Sequence, residues 1–161
     1  MTKLAAQSKG LHKGFTLIEL LVVIGILAVL LAITLIAINP ARQFAQANDT
    51  KRRSDVNAIL NAIHQAGADA NGVLPAGIPV APTPAAVIAN TGTGVTFCNA
   101  LVPQYIAALP SDPQAANGGV NITSCTTYDT EYLVQQSSNG RVTVTADGEI
   151  DPAVNDIQVT R

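Results

Sequence analysis

Gly14-Phe15-Thr16-Leu17-Ile18-Glu19-Leu20-Leu21 opens an apolar run that continues to Ile38, and the rest of the chain is organised around it. Between Phe15 and Ile38 the one ionisable residue is Glu19; the others are Leu, Ile, Val and Ala with Thr16, Gly25 and Thr34. As a helix rising about 1.5 Å per residue the run measures about 36 Å, longer than the roughly 30 Å hydrocarbon core of a bilayer. It is expected to span a membrane. A carboxylate near mid-bilayer costs about 2.5–3.5 kcal/mol on insertion scales, so Glu19 asks for a partner or a function.

Lys9, His12, Lys13 and Gly14 stand directly before the run. A secretory signal places its small-residue cleavage site after the apolar stretch, but this one closes on Ala37-Ile38-Asn39-Pro40. The small residue stands in front instead. A basic leader ending Lys13-Gly14, then Phe15-Thr16-Leu17-Ile18-Glu19 and an unbroken apolar helix, closely resembles the class III signal of type IV pilins and type II secretion pseudopilins. The resemblance implies that a membrane-bound prepilin peptidase cuts after Gly14 and methylates the new amino terminus, that of Phe15. It also implies that Glu19 pairs with the free amine of a neighbouring subunit as a filament is built. An ion pair of that kind neutralises two charges that would each be strongly disfavoured among packed apolar helices. The plain alternative for Glu19 is a side chain that snorkels to the interface of an ordinary signal anchor; Gly14 and Phe15 in place favour the assembly role.

The 161 residues suffice for one anchor and one domain of modest size, and the 12% charged content is low for a soluble domain. Loss of residues 1–14 removes Lys3, Lys9 and Lys13 and takes the formal charge from −2 to −5. A mildly acidic chain is no generic nucleic-acid binder. Lys51-Arg52-Arg53 is the one basic cluster left, and it reads as a solvated face balanced by Asp49 and Asp55, or as an intersubunit ion pair, ahead of a DNA or anionic-lipid contact. Asp49 with Arg53 and Lys51 with Asp55 are the expected i,i+4 pairs.

Charge does not settle topology, because Arg42 and the 51–53 cluster follow the span just as three lysines precede it. Cys98 and Cys125 are the only cysteines, in neither a CxxC nor a zinc pattern. A Cys98–Cys125 disulfide is expected, with two unpaired buried thiols as the alternative; the disulfide would put this part of the chain in an oxidising compartment outside the cytoplasm.

Pro40 either kinks the helix or restarts it with Asn39 as cap, and a continuous but bent helix is expected. From Ala41 to about Asn71 the pattern becomes amphipathic, with Phe44, Val56, Ile59, Leu60, Ile63, Ala66, Gly67 and Ala70 on one stripe. Gly72 suits a helix stop. Pro75, Pro79, Pro82 and Pro84 then require an extended surface loop, and Val87-Ile88-Ala89 is expected as a brief edge strand. Leu101, Tyr105 and Leu109 suggest a short helix stopped by Pro110. The segment from Leu101 to Pro113, ending Leu109-Pro110-Ser111-Asp112-Pro113, is similar to one common in pseudopilins and related pilins. Residues 131–146 carry the clearest β signal, two alternating runs around Ser138-Asn139-Gly140, and Ile157 to Thr160 is a plausible last strand.

His64 is read as a surface or boundary residue, the one histidine outside the leader. Asp147, Glu149 and Asp151 gather in a turn that fails the EF-hand pattern, so a solvated turn is expected rather than a calcium site. Asn48-Asp49-Thr50 and Asn121-Ile122-Thr123 fit the glycosylation sequon, a common chance occurrence.

The expected fold is α+β and pilin-like: a long N-terminal helix, half membrane anchor and half sheet cover, packed on a small antiparallel β-sheet. Residues 1–14 are the expected leader, 15–38 the transmembrane and assembly helix, 39–71 the amphipathic half, and 72–161 the globular head. The resemblance implies a filament subunit whose partners are other copies, the prepilin peptidase, the assembly machinery and the membrane, with no cofactor, metal or specific nucleic acid. A pilus and a secretion or DNA-uptake pseudopilus share every feature named. A membrane-tethered enzyme or binding module is the competing class, and it lacks a nucleophile with an evident base.

Overall fold

The computed structural model describes residues 14–92, 94–150 and 156–161. The chain divides into two compact units, residues 1–40 and 41–161. Among the described residues the first holds helix α1, Leu17–Ile38. The second holds helix α2 (Pro40–Asp69), strand β1 (Ala86–Ala89), helix α3 (Gly94–Leu101) and strands β2 (Asp129–Gln136), β3 (Val142–Ala146) and β4 (Ile157–Thr160). Of the calls for residues 1–14, those on Lys9, His12 and Lys13, like that on Asp151, lie outside the described residues.

The helical run is not continuous. Asn39 takes the left-handed conformation (φ 47°, ψ 77°) and caps α1, and α2 restarts with Pro40 as its first residue. Proline tolerates a first-turn position because the donor it lacks would be unsatisfied there anyway. Asparagine is among the few residues that visit left-handed space at low cost. At the other end, Asn71 (φ 55°) and Gly72 (φ 92°) close α2, with Gly72 N donating to Gly67 O at 2.7 Å and Asn71 N to Ala68 O at 3.3 Å. These are the paired bonds of a Schellman stop.

The sheet runs β1-β2-β3-β4, every neighbour antiparallel. Side chains along β3 alternate between buried and half-buried, as a two-residue period on a half-covered sheet requires. In the β2–β3 hairpin Gly140 N donates to Ser137 O at 2.9 Å and Gly140 takes φ 88°, the three-residue loop with a left-handed glycine. Val56, Ile59, Leu60 and Ile63 of α2 are wholly buried in one core with Phe97, Leu101, Tyr132, Val142 and Val144. Each such side chain contributes roughly 1.5–3 kcal/mol by leaving water.

Two further expectations fail. Phe44 is 71% exposed and stands off the core, because the covering stripe begins only after the first two turns of α2; Ala70 is exposed too. The short helix lies earlier than expected, at Gly94–Leu101 with Cys98 inside it, and Pro103, which has no N–H to continue the ladder, follows its end.

Candidate functional site

Thr16 is the N-cap of α1 and forms a complete capping box with Glu19. Glu19 N donates to Thr16 Oγ1 at 3.3 Å, while Thr16 N and Thr16 Oγ1 both donate to Glu19 Oε2 at 2.8 Å. A carboxylate three residues after a threonine cap satisfies donors that helix geometry would otherwise leave bare, and it complements the positive end of the helix dipole. Thr16-x-x-Glu19 is itself a legible sequence signal for this helix start. Gly14 and Phe15 precede it, both exposed, with no atom within 4 Å of where a Cβ on Gly14 would stand.

No residue of α1 is buried. Thr34 Oγ1 donates to Leu31 O at 2.9 Å, so the polar atom in its second half is satisfied within the helix. Leu17–Ile38 is long and apolar enough to cross a membrane by length and composition. A helix that is apolar all round needs lipid or other helices about it to keep that surface from water.

Residues 10–35 match the family model described as the prokaryotic N-terminal methylation motif. That segment is similar to the N-termini of type IV pilins. The match takes in Gly14, Phe15 and most of α1, and no curated protein or solved structure matches the chain. The motif is typical of proteins processed by prepilin peptidase, and the α+β architecture agrees with a pilin-like fold.

The second unit has its own polar centre, on Arg52. This guanidinium is 3% exposed. It donates from Nε to Asp112 Oδ2 at 2.5 Å, from Nη2 to Asp112 Oδ1 at 2.8 Å, from Nη1 to Asp49 Oδ1 at 3.0 Å and from Nη1 to Glu149 Oε1 at 2.7 Å. Asp49 in turn accepts from the backbone N–H of Glu149 at 2.9 Å and of Ile150 at 3.4 Å. Burial works against the ionised form of Asp49, but these backbone bonds and Arg52 outweigh it and hold the carboxyl below its ordinary range. Asp112 is lowered likewise: burial opposes, while Arg52 and the N–H of Gln114 prevail. Arg52 is pushed above its usual range, first by Asp112.

Several expectations are corrected here. Asp49 pairs with Arg52, not with Arg53, because Asp49, Arg52, Val56, Ile59 and Ile63 recur at spacings of three and four on the buried stripe. That spacing was the signal the composition of the basic cluster concealed. Lys51 does pair with Asp55, at 3.4 Å, and its Nζ donates to Ser111 O at 2.9 Å. The turn at Asp147 and Glu149 is not simply solvated, since Glu149 is drawn onto Arg52 and also accepts from Asn48 Nδ2 at 2.8 Å. That bond occupies the amide of the first sequon.

Cys98 and Cys125 are joined by a disulfide that closes a separation of 27 residues. His64 is half-buried, as a boundary residue, with Nε2 buried and without a hydrogen-bond partner. It edges a cleft of about 440 Å³ with Gly67, Leu74, Gln136 and Gly140. Among the described residues no set of three or more His, Cys, Asp or Glu side chains could hold a metal ion.

Proposed function

We propose that the chain is a structural subunit of a type IV pilus-like filament. Prepilin peptidase cuts between Gly14 and Phe15 on the cytoplasmic side and methylates the Phe15 amine. Residues 15–38 anchor the subunit and then form the filament core, 39–71 continue as sheet cover, and 72–161 are the head, held outside the cytoplasm. The observation that carries this reading is the methylation motif at the head of a helix with no buried residue. Lipid contacts exchanged for contacts with other copies of α1 keep that surface out of water throughout, so leaving the bilayer does not incur the full cost of about 25 cal/mol per Å².

Glu19 is the assembly residue in this reading: its Oε2 is engaged by Thr16, and a neighbour's methylated amine supplies the opposite charge. The disulfide supports an oxidising location for the head. A secretion or DNA-uptake pseudopilin is the second reading, and the segment ending Leu109-Pro110-Ser111-Asp112-Pro113, whose Asp112 seats Arg52, suits either. The deciding measurement is the intact mass of the chain recovered from membranes. A chain beginning at N-methylated Phe15 is expected, and one that retains Met1 would overturn the assignment.

A further inference from the structure

The second unit takes in every aromatic residue it contains except Phe44. Phe97, Tyr128 and Tyr132 are buried and Tyr105 is half-buried, whereas Phe44 is 71% exposed. A phenyl ring left in water forfeits one of the larger gains in apolar burial open to a side chain. Phe44 is also the aromatic of this unit that stands nearest in the chain to α1, the helix long and apolar enough to cross a membrane.

Chain length limits how far the ring can stand from that helix. α1 ends at Ile38 and α2 begins at Pro40, with Phe44 in its second turn. Two peptide units from Ile38 to Pro40 reach at most about 7.6 Å, and four residues of helix add about 6 Å. Whatever the angle at Asn39, the Cα of Phe44 is tethered within about 14 Å of the end of α1. Helical side chains lean toward the helix N-terminus, so the ring lies over the turn that begins at Pro40. Outside roughly 30 Å of hydrocarbon a bilayer carries a headgroup layer about 5–7 Å deep on each face. The neighbours suit that layer: Arg42, Gln43 and Gln46 are exposed around Phe44, and at this boundary apolar side chains sink about 5–10 Å while polar ones stay wet. The α1 of a second copy laid there would take water from those side chains and offer them an almost wholly apolar surface.

We propose that the first two turns of α2 are a membrane-interface surface, with the Phe44 ring seated where lipid headgroups meet acyl chains. The proposal rests on the reading of residues 15–38 as a membrane anchor. It gives the second unit a hold on the bilayer of its own, beyond the end of α1.

The sequence contains no tryptophan, so a single introduced tryptophan reports its own depth in the full chain. Phe44→Trp, Leu27→Trp and Val73→Trp are each placed one chain to a nanodisc of phosphatidylcholine, with a nitroxide either near the head or near the tail end of its acyl chain. All three replace exposed side chains, so none asks the core to repack. Leu27→Trp, within α1, reads the anchor alone and should be quenched chiefly by the tail-end nitroxide. Phe44→Trp should emit to the blue of Val73→Trp and be quenched chiefly by the nitroxide near the head. Val73 follows the far end of a helix about 45 Å long, and its tryptophan should be quenched by neither. Quenching of Leu27→Trp beside a Phe44→Trp as red and unquenched as Val73→Trp would overturn the proposal and leave the anchor standing. Loss of quenching at Leu27→Trp as well would remove the anchor and the proposal with it. Equal quenching at Phe44→Trp and Val73→Trp, or a blue shift of Phe44→Trp found only in discs holding several copies, would defeat the proposal too.

Discussion

Arg52 grips Asp112 by two parallel hydrogen bonds, Nε to Oδ2 at 2.5 Å and Nη2 to Oδ1 at 2.8 Å, across 60 residues of chain. The same guanidinium reaches Asp49 and Glu149, so α2, the loop after Pro110 and the segment after β3 converge on one buried cation. Only arginine offers a planar fork able to serve several carboxylates at once.

Arg52→Met should therefore cost about 3–5 kcal/mol, because it leaves buried carboxylates without a counterion. Arg52→Lys should recover little of it, while Arg53→Ala, one residue on and exposed, should stay within about 0.5 kcal/mol. Urea unfolding of the full chain in detergent reads all three.

Acid should unfold the head through the same cluster. Asp49 and Asp112 titrate below their ordinary 3.8 in the folded chain, so the unfolded chain takes up their protons first. Their contribution is complete above about pH 5 and is lost as pH falls below about 4. The midpoint of thermal unfolding should drop over that window in the wild type, and by much less in Arg52→Met. At the alkaline end Tyr132, raised first by burial and then by its bond to Asp55 at 2.8 Å, should erode stability above about pH 10.

Replacing Cys98 and Cys125 together by alanine should cost roughly 3.5 kcal/mol for a closed loop of this length. Adding dithiothreitol to the wild type should lower its unfolding midpoint and leave that of the double variant unmoved.

Gly94→Ala should cost about 1–3 kcal/mol, since its Cβ would drive α3 off the carbonyl of Ala89. Alanine at Gly25, where nothing lies within 4 Å, should leave the head's unfolding midpoint unchanged.

Glu19→Ala should leave membrane insertion and removal of the leader largely intact and abolish filaments. Electron microscopy and the mass of the processed chain separate the two outcomes; wild-type filament yield would remove the pairing role assigned to Glu19.

Much of this molecule is local chemistry, and local chemistry is readable. Thr16 and Glu19 are three residues apart, the apolar run needs no partner to declare itself, and the alternation of Val142 and Val144 with Thr143 and Thr145 announces a strand with one covered face. The four-stranded sheet under a helical stripe at Val56, Ile59, Leu60 and Ile63 follows from the same periodicities.

The distant partners of Arg52 had no such signature. Arg52 looked like the middle of a solvated basic cluster, because its three carboxylates sit at positions 49, 112 and 149 and only folding brings the last two within 3 Å. Phe44 looked like core for the converse reason: its spacing is right, but the sheet does not extend beneath it. The amino-acid sequence alone determined the apolar helix, its methylation motif and the alternation of the strands, since each depends on neighbours within a turn or two of chain. Which cation is buried, which carboxylates meet it and how the strands pair were decided by the tertiary structure, because burial and pairing belong to residues that meet only when the chain has closed on itself.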